Sequence, residues 1–178
     1  MGLGERLGGG PGAVSDPLKR SFPPVVDAAT QVLVLGSLPG ERSLAEQRYY
    51  AHPQNQFWQL MSPVAGQDLV PLAYEARLAA LQEAKIGLWD VVAQARRAGS
   101  SDAAIRDLAA NDLTALVATL PRLRAIGFNG ATALRHGRAQ LGDAAARYGI
   151  VALPSSSPLH TVGVAAKQAA WRALAEYL

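Results

Sequence analysis

Four short apolar runs punctuate the chain, each closed by a polar or glycine-rich turn. Val32 to Leu35 is the first and breaks at Gly36-Ser37-Leu38-Pro39-Gly40. The second lies within Lys85 to Val92 and ends near Asp90. Arg124 to Phe128 is the third, closed by Asn129-Gly130, and Ile150 to Leu153 the fourth, closed by Pro154-Ser155-Ser156-Ser157-Pro158. Unbroken apolar runs of this length mark strands buried on both faces, as in parallel sheets. Between them, apolar residues recur at helical spacing. Phe57, Leu60, Met61 and Val64 predict a helix over 54–64, opened by Pro53 at its first position, where the missing N–H is no loss. Further helices are expected over 69–84, 103–108, 111–120 (with Asn111 as cap), 131–141 and 164–177, the last offering Ala169, Trp171, Leu174 and Leu178 to the core. Strands alternating with helices predict an α/β fold, a four-stranded parallel sheet with helices on both faces.

Residues 1–24 are rich in Gly and Pro and read as a flexible arm, in which Lys19 and Arg20 could reach phosphate; residues 25–178 read as a single domain. With 178 residues and 49% hydrophobic content, that domain has enough chain for a sizeable core. Cysteine is absent, which excludes disulfides and thiolate metal sites and makes a reducing compartment, the cytoplasm, the default expectation. The three His, at 52, 136 and 160, are too scattered to suggest a metal site. No apolar run approaches membrane-spanning length. A net charge of +3, with most of the basic residues Arg, is compatible with nucleic acid without requiring it.

The strand-end turns carry the candidate chemistry, because ligands of open α/β sheets bind outside the carboxyl ends of the strands. Gly36 and Ser37 allow close backbone approach and free N–H groups. The turn matches neither GxxxxGK[ST] nor GxGxxG, so a Walker or dinucleotide site is excluded. Tyr49-Tyr50 could stack on a flat ligand, although tyrosines more commonly serve packing. Asn55 and Asn129 are neutral amides that both donate and accept; either could equally serve a turn or cap. Asp90 is a cap or a site acid. Ser155, Ser156 and Ser157, between two prolines, could hold phosphate or form a polar turn. A Ser37–Asp90–His160 triad lacks the G-x-S-x-G elbow of acyl hydrolases.

Taken in order, Gly36-Ser37-Leu38-Pro39-Gly40 and then Tyr50-Ala51-His52-Pro53-x-Asn55-x-Phe57-Trp58 resemble the uracil-DNA glycosylase superfamily. Gly87 to Asp90, Phe128 to Gly130 and Pro154 to Pro158 are similar to strings of its hypoxanthine-DNA glycosylase branch, and the likeness covers about residues 28–178. The resemblance implies a three-layer α/β/α domain that needs no metal or cofactor. It also implies a monomeric, monofunctional glycosylase that removes deaminated bases from DNA: hypoxanthine first, with uracil and xanthine as alternatives. In that reading Asn55 and Asn129 act in catalysis. Gly36, Ser37, Tyr50 and Asp90 bind the base, and Pro154, Ser155, Ser156, Ser157 and His160 meet the DNA. Two positions depart from most uracil glycosylases. Leu38 stands where Asp or Asn positions the attacking water, and Leu153 where His or Asn stabilises the leaving uracil. Both departures fit the hypoxanthine branch. A reading from a different class is a non-catalytic nucleotide- or DNA-binding module of the same fold.

Overall fold

Val32–Gly36 is the strand on which the fold is built, and every residue of it is buried. Side chains alternate across a strand. Val32 and Val34 therefore enter one core with Leu60, Met61 and Trp171, while Leu33 and Leu35 enter another with Phe128, Leu113 and Leu141. Two cores on opposite faces of one strand require helices on both sides.

The computed structural model describes residues 16–178. In chain order the elements are β1 (Leu18–Arg20), β2 (Val32–Gly36), α1 (Glu41–Glu46), α2 (Phe57–Ala65), α3 (Tyr74–Glu83), β3 (Ile86–Asp90), β4 (Val92–Arg96), β5 (Arg106–Ala110), α4 (Leu113–Ala118), β6 (Ala125–Asn129), α5 (Ala131–Leu141), β7 (Gly149–Leu153) and α6 (Val164–Arg172). The central sheet runs β3-β2-β6-β7 with every pairing parallel. Residues of α2, α3 and α6 fill the core on one face, and those of α4 and α5 the core on the other. This is the expected three-layer architecture.

A second, antiparallel sheet, β1-β4-β5, was not legible in the chain. After Asp90 the backbone passes through Val91 and pairs again as β4, so one continuous run serves two sheets. Asn111 stabilises the junction: its Nδ2 donates to the carbonyls of Asp90 (2.8 Å) and Val92 (3.4 Å) and to Ser21 Oγ (3.1 Å). That work takes Asn111 away from the cap role expected of it. Asp112 caps α4 instead, accepting from the Ala115 N–H at 3.0 Å. The helix expected over 103–108 is a short 3-10 turn, Asp102–Ala104, followed by β5. Ile105 and Leu108, spaced as on a helix, both pack with Leu38, Val92 and Ala95. Irregularities in the β4–β5 register, with Asp107 at φ 50°, bring residues three apart to one side.

Helix boundaries moved for local reasons. α2 begins at Phe57 and not at Pro53 because earlier N–H groups are already engaged: Gln54 with His52 Nδ1, Asn55 with His52 O, and Gln56 with Ser156 O. α3 starts only after Pro71, at Tyr74. Of the expected core positions near the C-terminus, Trp171 and Leu174 are buried, whereas Ala169 and Leu178 are exposed. Part of the expected N-terminal arm, residues 1–15, lies outside the described residues. Of its remainder, β1 pairs with β4, and Lys19 is buried, donating to Glu41 Oε1 at 3.3 Å and to Gly99 O, so it is not free for phosphate. No helix among the described residues is long and apolar enough to cross a membrane.

α5 lies close on the sheet because Gly137 has no Cβ; one added there would meet the Phe128 ring at 2.1 Å. Gly137→Ala is expected to lower stability by about 1–3 kcal/mol through overpacking. A urea melt checks this, and an unchanged midpoint would contradict the close helix–sheet approach.

Candidate active site

Parallel pairing sets the strand ends flush. Gly36 is the register partner of Asp90, and Leu35 that of Phe128, so Asn129 follows at the same edge. Asn129 in turn pairs with Leu153, after which the serine loop begins. The four strand-end turns therefore open into one cavity of about 400 Å³. Gly36, Ser37, Tyr50, Asn55, Asp90, Asn129, Ser155, Ser156, Ser157 and His160 all line it. Pro154 does not; its carbonyl accepts from Trp171 Nε1 at 2.9 Å, which ties the loop to α6.

The tyrosine pair divides its work. Tyr49 turns into the core and donates its hydroxyl to Pro23 O at 2.9 Å. Tyr50 adopts φ 53° and lines the cavity, its ring stacked on Phe57 at 3.8 Å between centroids and 12° between planes. Phe57 thus backs the ring and fixes its plane. Asn129 Nδ2 donates to Tyr50 Oη at 3.3 Å and to Ser156 Oγ at 2.9 Å, and its Oδ1 accepts from the Ser156 N–H at 2.9 Å. Both donors of the Asn129 amide are therefore engaged, the one to Tyr50 only loosely. Asn55 Oδ1 accepts from the Phe57 N–H at 2.9 Å, at the start of α2. Its Nδ2 is the part of the amide that a ligand can use.

Asp90 is the unusual group. It is 3% exposed, and its Oδ2 is buried without a hydrogen-bond partner. Burial pushes its pKa up from 3.8 to about 7; the nearby Asp102 charge adds to the rise and Arg97 opposes it. A Cβ on residue 36 would sit 2.6 Å from Asp90 Oδ1 and 3.2 Å from Tyr50 Oη, so only glycine lets these two groups approach the turn.

Several site residues were missed in the sequence. Asp102 lines the cavity and accepts from Ser37 Oγ at 2.6 Å. Its half-burial raises its pKa, with the Ser37 hydrogen bond and Arg97 acting the other way. Since Ser37 donates to a carboxylate and not to an imidazole, the Ser37–Asp90–His160 triad does not form. Arg97, fully buried, donates to Leu38 O, Pro39 O and Gly99 O, pinning the first turn. Lys167, 1% exposed, donates to Ser155 O and His160 O from α6 and so holds the serine loop at both ends. Burial lowers its pKa. Neither cation carries a sequence signal, because each acts on backbone carbonyls that only the fold brings near. Ser156 Oγ is buried and accepts from Asn129 Nδ2, which clamps the serine loop to the end of β6. The loop's exposed tip is Leu159, at 61%, with His160 beside it.

Residues 23–175 match the Uracil DNA glycosylase superfamily. A hypoxanthine DNA glycosylase of Methanosarcina barkeri is 45% identical over 112 residues, which is 63% of this chain and 71% of that protein. One of Methanosarcina acetivorans is 45% identical over 113 residues, 64% of this chain and 72% of its own. The solution NMR structure of a protein from Methanosarcina acetivorans, named as a candidate uracil DNA glycosylase, superposes with a TM-score of 0.79 at 38% identity. That match covers 89% of this chain and 97% of the other.

Asp90 links the site to stability. With its pKa raised to about 7, the folded state holds the proton more tightly than the unfolded chain. This group therefore favours folding most below about pH 4, and the contribution is lost as pH climbs through 7. Asp90→Asn cannot ionise. Its melting temperature, relative to the parent protein's, is expected to rise by several degrees between pH 5 and pH 8, as about 2–3 kcal/mol of relief would give. A difference independent of pH would contradict the burial of an ionisable carboxyl.

Proposed function

Because this chain belongs to the uracil DNA glycosylase superfamily, we propose that it is a monofunctional DNA glycosylase that hydrolyses the N-glycosidic bond of deoxyinosine. The observation that carries the reading is the convergence of Tyr50, Asn55, Asp90 and Asn129, from three separate parts of the chain, on one cavity. Its volume, about 400 Å³, is in the usual range for a small-molecule site. The names of the 45%-identical relatives support hypoxanthine as the base.

The glycosidic carbon is out of reach inside a stacked duplex, so the nucleotide must be everted, at a cost of a few kcal/mol that falls for a mispaired base. Leu159, apolar and exposed at the tip of the serine loop, suits a wedge that fills the vacated stack. The everted purine lies against the Tyr50 ring, which Phe57 holds in plane. Asp90, unpaired at rest, accepts the N1–H that hypoxanthine carries and adenine lacks. Where Asp90 has lost its proton, above about pH 7, adenine would leave that buried acceptor unpaired and is rejected.

As the bond to the sugar breaks, negative charge develops on the purine and positive charge on the sugar. Donors aimed at the leaving base lower the barrier. Asn55 Nδ2 is free to serve. Asn129 Nδ2 can do so by exchanging its long contact with Tyr50 Oη for the base. Lys167 and Arg97 hold the carbonyls of the two flanking loops, so these donors stay in place without reorganising.

Incubation with a deoxyinosine-containing duplex, then alkali, is expected to break the strand at the inosine and release free hypoxanthine. Salt-dependent DNA binding without base release would instead establish a non-catalytic binding module. Asn55→Ala is expected to slow single-turnover excision by about 100-fold or more, as loss of a transition-state donor does. Tyr50→Ala is expected to weaken binding of the damaged duplex by about 1–3 kcal/mol. Full activity in either variant would remove that residue from its assigned role.

A further inference from the structure

Hydrolysis needs a water that gives its proton to a base, and the amides and hydroxyls placed so far are too weakly basic to take it. The third residue of the first turn, Leu38, is apolar and buried with Val92 and Ala95. Asn55 Oδ1 already accepts from the Phe57 N–H, and a neutral amide cannot take the water's proton. Asn129 Oδ1 is likewise engaged, by the Ser156 N–H. Asp90 sits at the sealed end of the cavity, 3% exposed, where the base edge must go.

Of the other bases that line the cavity, Glu41, His52 and His160 are exposed and Glu41 is paired with Lys19, which leaves Asp102. It arrives from the turn between β4 and β5, far from the first turn in sequence, and meets that turn through the 2.6 Å bond from Ser37 Oγ. Ser37 precedes Leu38, so Asp102 brings a carboxylate to the place where Leu38 brings none. The bond engages Oδ1 and leaves Oδ2 for a second partner. Asp102 is half-buried where Asp90 is sealed. A nucleotide entering base-first places its sugar toward the more open carboxylate.

Resting on the glycosylase reading above, we infer that Asp102 is the group that holds and deprotonates the attacking water. The water oxygen bonds to C1′ as the C1′–N9 bond breaks, and the bonding pair leaves with the purine. The water proton passes to Asp102 Oδ2 and then to solvent, while the purine anion takes up a proton. The products are free base and an abasic sugar. Until the proton moves, the carboxylate's negative charge also favours the developing cation on the sugar. Ser37 is its positioning residue, and the charged or titratable groups around it are Tyr50, Asp90, Arg97 and His136.

The test is single-turnover excision from a deoxyinosine duplex at saturating enzyme. Asp102→Asn is expected to lose about 100-fold or more in rate, the scale of a general base, while affinity for the duplex holds and the protein stays folded. Ser37→Ala removes the hydrogen bond that favours the ionised Asp102. It should therefore move the acid limb of the pH–rate profile to higher pH and leave the plateau within about tenfold. An Asp102→Asn rate within threefold of the parent, or an acid limb unmoved in Ser37→Ala, would overturn the assignment. A parent protein that releases no base fails the glycosylase reading instead, so the two failures are distinct.

Discussion

The structure depends on parallel register. Side by side, β3, β2, β6 and β7 end at one edge, so residues that close each strand become neighbours although up to about a hundred positions separate them in sequence. Gly36 beside Asp90 is the tightest instance: the missing Cβ at 36 makes room for a carboxylate and a tyrosine hydroxyl at the same point. A one-residue slip of β2 would reverse which face its side chains enter. Both cores would be lost along with the site, so the packing that makes the fold also enforces the chemistry.

Polar groups at this edge are handled in two ways. Most are satisfied by backbone pinning: Arg97 on the first turn, Asn111 at the sheet junction, Asn129 and Lys167 on the serine loop. Buried carbonyls without donors are costly. These side chains therefore contribute stability and hold the loops still at once. Asp90 is the exception, buried without a partner at Oδ2 and disfavoured when charged. A group that weakens the resting fold and points into the cavity is one whose partner arrives with the ligand.

The two carboxylates illustrate how environment separates like groups. Asp90 is sealed and unbonded; Asp102 is half-open and bonded to Ser37. The Asp102 charge adds to Asp90's cost of ionisation, and Arg97 lowers that cost for both. In the proposed mechanism, one position reads a base edge while the other meets water.

The four central strands were legible in the sequence because strands buried on both faces must be apolar throughout, and the turns that end them must be Gly, Pro, Asn or Asp. Asp90, Asn129 and the serine loop stood out for the same reason, each closing such a run. The antiparallel sheet was not legible. β1 lies in a Gly/Pro-rich stretch, and β5 is an irregular strand whose Ile105 and Leu108 copy helical spacing. Local pattern cannot reveal pairing with β4, which is a tertiary choice. Nor could it separate Tyr49 from Tyr50, adjacent and chemically identical, one buried with its hydroxyl on Pro23 O and the other stacked on Phe57 with its hydroxyl beside Asn129. Asp102, Arg97 and Lys167 carried no local signal, because what each does is defined by a partner 65, 58 and 12 residues away in sequence. Hydrophobic pattern alone determined the sheet and its edge; only the folded chain decided which polar groups at that edge face one another, since contact between distant residues is set by packing in three dimensions.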